Sequence, residues 1–179
     1  MKRHERGAHA SLRALYRELD RAVQRLREVH GVRLQCAPGC ASCCVDGLTV
    51  FEAEALHIAE RNRDLLRAEA PHGPGACAFL NGERRCRIYR DRPYVCRTQG
   101  LPLRWLEEDA QEGIVELRDI CPKNEAGIPI EDLPEDACWT IGPAEGQLAL
   151  FQSSLPGGEM RRTALRDLFG MPRRTTRDQ

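Results

Sequence analysis

Four cysteines fall within nine residues of this 179-residue chain, in the run Cys36-Ala-Pro-Gly-Cys40-Ala-Ser-Cys43-Cys44. No other feature constrains the fold as much. Sulfurs this close in sequence do not disperse through a core as ordinary small hydrophobes, and Pro38 with Gly39 interrupts any regular element between them. Two or three residues between cysteines let both thiolates turn toward one ion, which is the loop geometry metal sites need. Adjacent Cys43 and Cys44 suit a single ion less well, because neighbouring side chains diverge. That pair fits two metals, a bridge, or one ligand beside a spare thiol. Five further cysteines follow at 77, 86, 96, 121 and 138, and the odd total of nine leaves one over in any fully disulfide-paired scheme.

Compartment decides what such thiols mean. The opening MKRHERGAHA is charged and lacks the apolar stretch of a signal peptide. The longest uncharged runs, 34–45 and 146–158, are too short to span a bilayer. The expectation is a soluble cytoplasmic protein with no membrane partner, where clustered thiols favour metal or redox chemistry over disulfides. Soft thiolates without clustered histidines select zinc, Cu(I) or iron–sulfur centres over magnesium or calcium. The expected metal ligands are Cys36, Cys40, Cys43 and Cys44, joined by Cys77, Cys86, Cys96 and Cys121 from a second loop region. Among the histidines, His72 can complete a Cys3His site. His57 shares a helix face with Glu60, Arg61 and Asp64 and is expected in solvent, and His4 and His9 lie at the N-terminus.

Charge removes other classes. Lys and Arg number 27 against 27 Asp and Glu, so the chain is formally neutral, whereas a dedicated nucleic-acid binder is usually basic. The balance conceals opposed segments: residues 1–33 sum to +5, 34–100 to +1, 101–145 to −9 and 146–179 to +3. Arg84, Arg85, Arg87, Arg90, Arg92 and Arg97 interleave with Cys86 and Cys96. A four-thiolate centre carries roughly two net negative charges, which such guanidinium groups would offset. The same arginines with Tyr89 and Tyr94 also read as a nucleic-acid patch, but Glu83 and Asp91 dilute it. No Ser/His/Asp set, phosphate loop or dinucleotide fingerprint is present, so hydrolase, kinase and classical dehydrogenase readings have no support.

Leu12, Leu15, Leu19, Val23, Leu26 and Val29 recur at helical spacing and predict an amphipathic helix over 11–30. Thr49 with Glu52 reads as a capping box opening a second helix that runs to about Ala70, where Pro71-His72-Gly73-Pro74-Gly75 stops it. Short extended pieces are expected at 87–89 and 114–117, and helices at 144–153 and 159–169. These readings predict a mainly α fold with irregular cysteine-rich loops, a small α+β arrangement being the alternative, organised as a single domain by metal. Its expected parts are an N-terminal helix (1–35), a cysteine-cluster core (36–125), a C-terminal helical part (126–170) and a disordered tail (171–179).

Three stretches together resemble the YkgJ-like cysteine-cluster proteins, described as a zinc- or iron-chelating domain. They are GCASCC from Gly39 to Cys44 with Cys36 before it and LTVFEAEALHIAE after it, then CAFLNGERRCRIYRDRPYVCR from Cys77 to Arg97, then Cys121-Pro122. Three residues separate the first two cysteines, where that family often has two, and Cys138 stands outside the shared pattern. The resemblance implies metal binding. Flagellin lysine methylases, thought to use an iron–sulfur cluster, have a similar cysteine motif. Cys36-x3-Cys40-x2-Cys43 also has the spacing of the radical-SAM motif, but Ser42 replaces its usual aromatic residue and few strand-like runs follow to build that barrel. The leading expectation is therefore a zinc or iron chelator, with a [4Fe–4S] cluster left open. Its alternatives are an iron–sulfur enzyme in redox or methyl transfer and a zinc-stabilised module binding a protein partner. Catalytic residues are not assignable from the sequence, and nucleic acid is not an expected partner.

Overall fold

Leu12, Tyr16, Leu19, Val23 and Leu26 form the buried stripe of α1 (Arg3–His30), while the arginines at 13, 17, 21 and 25 are exposed on its other side. The helix starts earlier than its apolar repeat suggests, and Arg27 and His30 in its last turn suit the negative end of the helix dipole. The computed structural model describes residues 3–155 and 159–170, with side chains from residue 10 onward. The tail 171–179 and the side chains of His4 and His9 lie outside the described residues. Among the described residues, no helix is long and apolar enough to cross a membrane.

The chain forms two compact units, each assembled from separated segments. The first takes residues up to 14, then 38–93, then 148 onward. Strand β1 (Thr49–Phe51) leads directly into α2 (Glu52–Arg61), which Asn62 separates from α3 (Arg63–Ala68). The single helix expected from Thr49 to Ala70 is thus a strand and two helices. Asn62 is the physical reason for the break: its Nδ2 donates to the Ile58 carbonyl at 2.9 Å and its φ of −121° leaves the helical region. Thr49 is no cap because β1 pairs antiparallel with β5 (Arg162–Ala164), in the register Thr49 to Ala164. Val50, Ala55, Ile58, Phe79, Leu165 and Leu168 build the core of this unit. The helix expected over 159–169 is instead β5 followed by a 3-10 turn, Leu165–Phe169.

The second unit takes residues 15–37 and 94–147. After the short α4 (Tyr94–Thr98), strands β2 (Leu103–Asp109) and β3 (Gly113–Asp119) make an antiparallel hairpin. Its three-residue loop is closed by Asp109, whose carboxylate accepts from the Gln111 and Glu112 amides at 2.8 and 2.9 Å. Gly113 at φ +78° supplies the left-handed position that such a loop requires. β4 (Trp139–Thr140) adds in parallel to β2, giving the order β3-β2-β4. Trp139 Nε1 donates to the Tyr94 hydroxyl at 2.9 Å within this unit's core. The last helix, α5 (Pro143–Ser153), gives residues to both units.

The fold class is therefore α+β, not mainly α, because five strands form two small sheets. The extended piece expected at 114–117 lies within β3, but its partner β2 escapes a periodicity search because charge lies on both faces of the hairpin: Glu107 shares one with Trp105 and Val115, and Arg104 and Glu116 share the other with Leu106.

Candidate metal centre

None of the nine cysteines is joined in a disulfide. The eight expected ligands divide between the units. Cys40, Cys43, Cys44, Cys77 and Cys86 belong to the first, and Cys36, Cys96 and Cys121 to the second with Cys138.

In the first unit the loop carrying Cys44 meets the segment carrying Cys77, whose backbone N–H donates to the Cys44 carbonyl at 2.9 Å. Cys86 is brought back toward Cys77 by an isolated antiparallel bridge between Leu80 and Cys86. Cys77 is buried in the hydrophobic core, and Cys44 and Cys86 pack against that same cluster. Cys43 is exposed, and Cys40 is half-buried. Burial pushes the Cys77 thiol above its ordinary value, against the opposing pull of nearby Arg166 and Arg87. Burial likewise raises Cys86, and neighbouring Cys77 raises it further, while Arg92 and Arg87 act the other way. A raised thiol pKa leaves each sulfur protonated at neutral pH, and a thiol must shed that proton before it can ligate a metal.

The residue that organises this region is one the sequence reading did not single out. Arg166, on the C-terminal 3-10 turn, donates to Asp46 at 2.8 Å and to the carbonyls of His72, Gly73 and Ala76 at 2.7, 3.2 and 2.9 Å. Asp46 in turn accepts from the Gly75 amide at 3.0 Å. One guanidinium and one carboxylate thus join the loop after Cys44 to the Pro-Gly turn before Cys77. Neither residue carries a local motif, and the acceptors are backbone carbonyls that leave no trace in side-chain identity.

In the second unit the equivalent organiser is Asn124, also missed, although its place in Cys121-Pro122-Lys123-Asn124 marks a turn. Its side chain is fully buried. Its Nδ2 donates to the Gly100 carbonyl at 2.7 Å and lies 3.8 Å from Cys36 Sγ, while its Oδ1 accepts from the Gln35 amide at 2.8 Å. Its backbone N–H donates to the Cys121 carbonyl at 2.7 Å. Cys36 is exposed, and Cys96, on α4, and Cys121 are half-buried.

Other expectations come out unevenly. Arg87 and Arg92 do stand within electrostatic reach of a sulfur. Arg97 instead holds Asp20 through both carboxylate oxygens, at 2.8 and 2.7 Å, and lies 4.0 Å over the Tyr16 ring. Arg85 pairs with Glu83 at 3.5 Å. His57, expected in solvent, is buried together with Glu54, because α2 packs on β1, β5 and the Tyr89–Asp91 turn as well as on α3. His72 contributes its carbonyl to Arg166. Cys138 is buried immediately before β4.

The donor chemistry suits a soft ion: thiols, few histidines and cationic groups near the buried sulfurs. Among the described residues, no group of three or more His, Cys, Asp or Glu side chains stands where it could hold a metal ion. Residues 35–122 match the family model CxxCxxCC, described as "Putative zinc- or iron-chelating domain". No curated protein and no solved structure matches the chain.

Proposed function

With residues 35–122 detected as a CxxCxxCC domain, we propose that this protein chelates zinc or iron through thiolates drawn from Cys36, Cys40, Cys43, Cys44, Cys77, Cys86, Cys96 and Cys121. The observation that carries the reading is the extent of that match. It begins one residue before Cys36 and ends one after Cys121, taking in eight of the nine cysteines and leaving out Cys138. The first unit supports it further, since it holds five of the eight and draws Cys44, Cys77 and Cys86 onto one core. Five thiols exceed what a four-coordinate zinc or one [4Fe–4S] cluster needs. Arg87, Arg92 and Arg166 would offset the roughly two negative charges of either. A reducing cytoplasm is the setting that favours metal binding by clustered thiols over disulfides. Zinc would supply cross-linking of the loops without redox activity, and a cluster would add electron transfer.

Anaerobic purification followed by metal and acid-labile sulfide analysis tests the proposal. Zinc without sulfide identifies a zinc chelator, and iron with matching sulfide a cluster protein. A preparation that holds neither metal, and takes up neither on reconstitution, sinks the reading.

A further inference from the structure

Asn124 uses every hydrogen-bonding group it has on the segments that carry the second unit's cysteines. Its Nδ2 faces the Gly100 carbonyl and Cys36 Sγ, and its Oδ1 faces the Gln35 amide. Its backbone N–H reaches the Cys121 carbonyl, and its own carbonyl accepts from Arg33 Nε at 2.8 Å. Only a carboxamide satisfies this arrangement, because an aspartate would set oxygen against the Gly100 carbonyl and against sulfur. Gly100 is shaped to the same end. A Cβ there would stand 2.5 Å from Cys36 Sγ and 3.3 Å from Asn124 Nδ2, at a φ of +89° that favours glycine. The sulfur of Cys36 is thus held between a bare backbone and an amide N–H, although the residue itself is exposed.

We infer that Asn124 is the positioning residue for the second unit's thiols: its side-chain amide places Cys36 and would donate to that sulfur when it ligates metal, while its backbone N–H ties the Cys121 turn to the same point. The inference rests on the metal-binding reading above. An N–H donor beside a metal-bound thiolate withdraws charge from sulfur and fixes its direction, and losing such a partner typically weakens a metal site about 10–100-fold.

The test is site-resolved alkylation by iodoacetamide, read by mass spectrometry on zinc-loaded and zinc-free protein. In the native sequence zinc should slow alkylation of Cys36, Cys121, Cys44 and Cys77. In zinc-loaded Asn124→Ala, Cys36 and Cys121 should react about tenfold faster or more, while Cys44 and Cys77 keep their protection. A double-mutant cycle separates positioning from general support. In a Cys36→Ala background, adding Asn124→Ala should change the Cys121 rate by less than about twofold, because the sulfur it acts on is gone. Gly100→Ala should reproduce the loss from the other side with Asn124 intact. Equal acceleration of Cys121 in both backgrounds, spread of the loss to Cys44 and Cys77, or an Asn124→Ala chain that fails to fold with zinc present would each overturn the assignment. Zinc that protects no cysteine in the native sequence would instead remove the metal-binding reading, so the two failures are distinct.

Discussion

The two units hold their cysteines by opposite means. In the first, Cys77 is buried in the core, and the groups that tie its loops together, Arg166 and Asp46, are each more than a quarter exposed. In the second, the tie is sealed and the residue that it holds is not: Asn124 has no exposed surface, and Cys36 is exposed. The choice of chemistry follows from burial. A charged clamp tolerates partial solvation, since water and the guanidinium share the carboxylate, whereas a clamp removed wholly from water must be neutral and fully bonded to avoid a desolvation cost. The first unit therefore protects sulfur through apolar packing, and the second positions sulfur through a buried amide.

The most forceful way to break this contrast is to remove the packing. Phe79 is fully buried and meets the Phe169 ring at 5.0 Å between centroids, beside Cys77 in the same core. Phe79→Ala should cost about 3–5 kcal/mol in urea unfolding followed by circular dichroism. Cys77 should then lose its resistance to alkylation. A loss below about 1 kcal/mol, with Cys77 still inert, would mean that its shelter comes from something other than this core.

An effect of intermediate size compares sulfurs directly. In metal-free protein at neutral pH, exposed Cys36 and Cys43 should alkylate at least about tenfold faster than Cys77, because the thiolate is the reactive form and burial both hides Cys77 and raises its pKa. Cys86, raised for the same reason, should also lag. Uniform rates across the nine sites would erase the distinction between sealed and presented thiols.

These contrasts were unequally legible in the sequence. The apolar stripe of α1 was, because its period is local, and so was the cysteine-cluster domain, because its signature is residue identity at short spacing. β1 was not. Thr49–Phe51 is a strand only because Arg162–Ala164 pairs with it, a long-range contact that no local window contains. Of the hairpin, the 114–117 piece of β3 was legible, while β2 hid behind charges on both faces. His57 lies beside Glu60 and Arg61 on what a single-faced amphipathic helix would leave in solvent, whereas α2 packs on several neighbours and buries it. The organisers were hardest of all. Arg166 acts mainly on backbone carbonyls far away in the chain, and Asn124 on Gly100 and Gln35, so neither stands out from the arginines and polar turn residues around it.

The smallest effect bears on the clamps themselves. The Gly75 amide and the Arg166 guanidinium hold the Asp46 carboxyl below its ordinary range. A carboxyl depressed on folding contributes stability that is fully present above the unfolded value of about 3.9, and that is lost as pH falls through the lower folded value. Asn124 does not titrate. Two backbone amides therefore serve as paired reporters: Gly75 N–H donates to Asp46, and Gln35 N–H donates to Asn124 Oδ1. As pH drops from about 6 toward 2, hydrogen exchange corrected for intrinsic rate should show Gly75 losing protection while Gln35 keeps its own. Asp46→Ala should give Gly75 the acid-like rate already at pH near 6, and leave Gln35 unchanged. If the two amides lose protection together, the distinction between an ionic and a neutral clamp has no consequence for the cysteine loops, and the shared unfolding of both regions would be the better description.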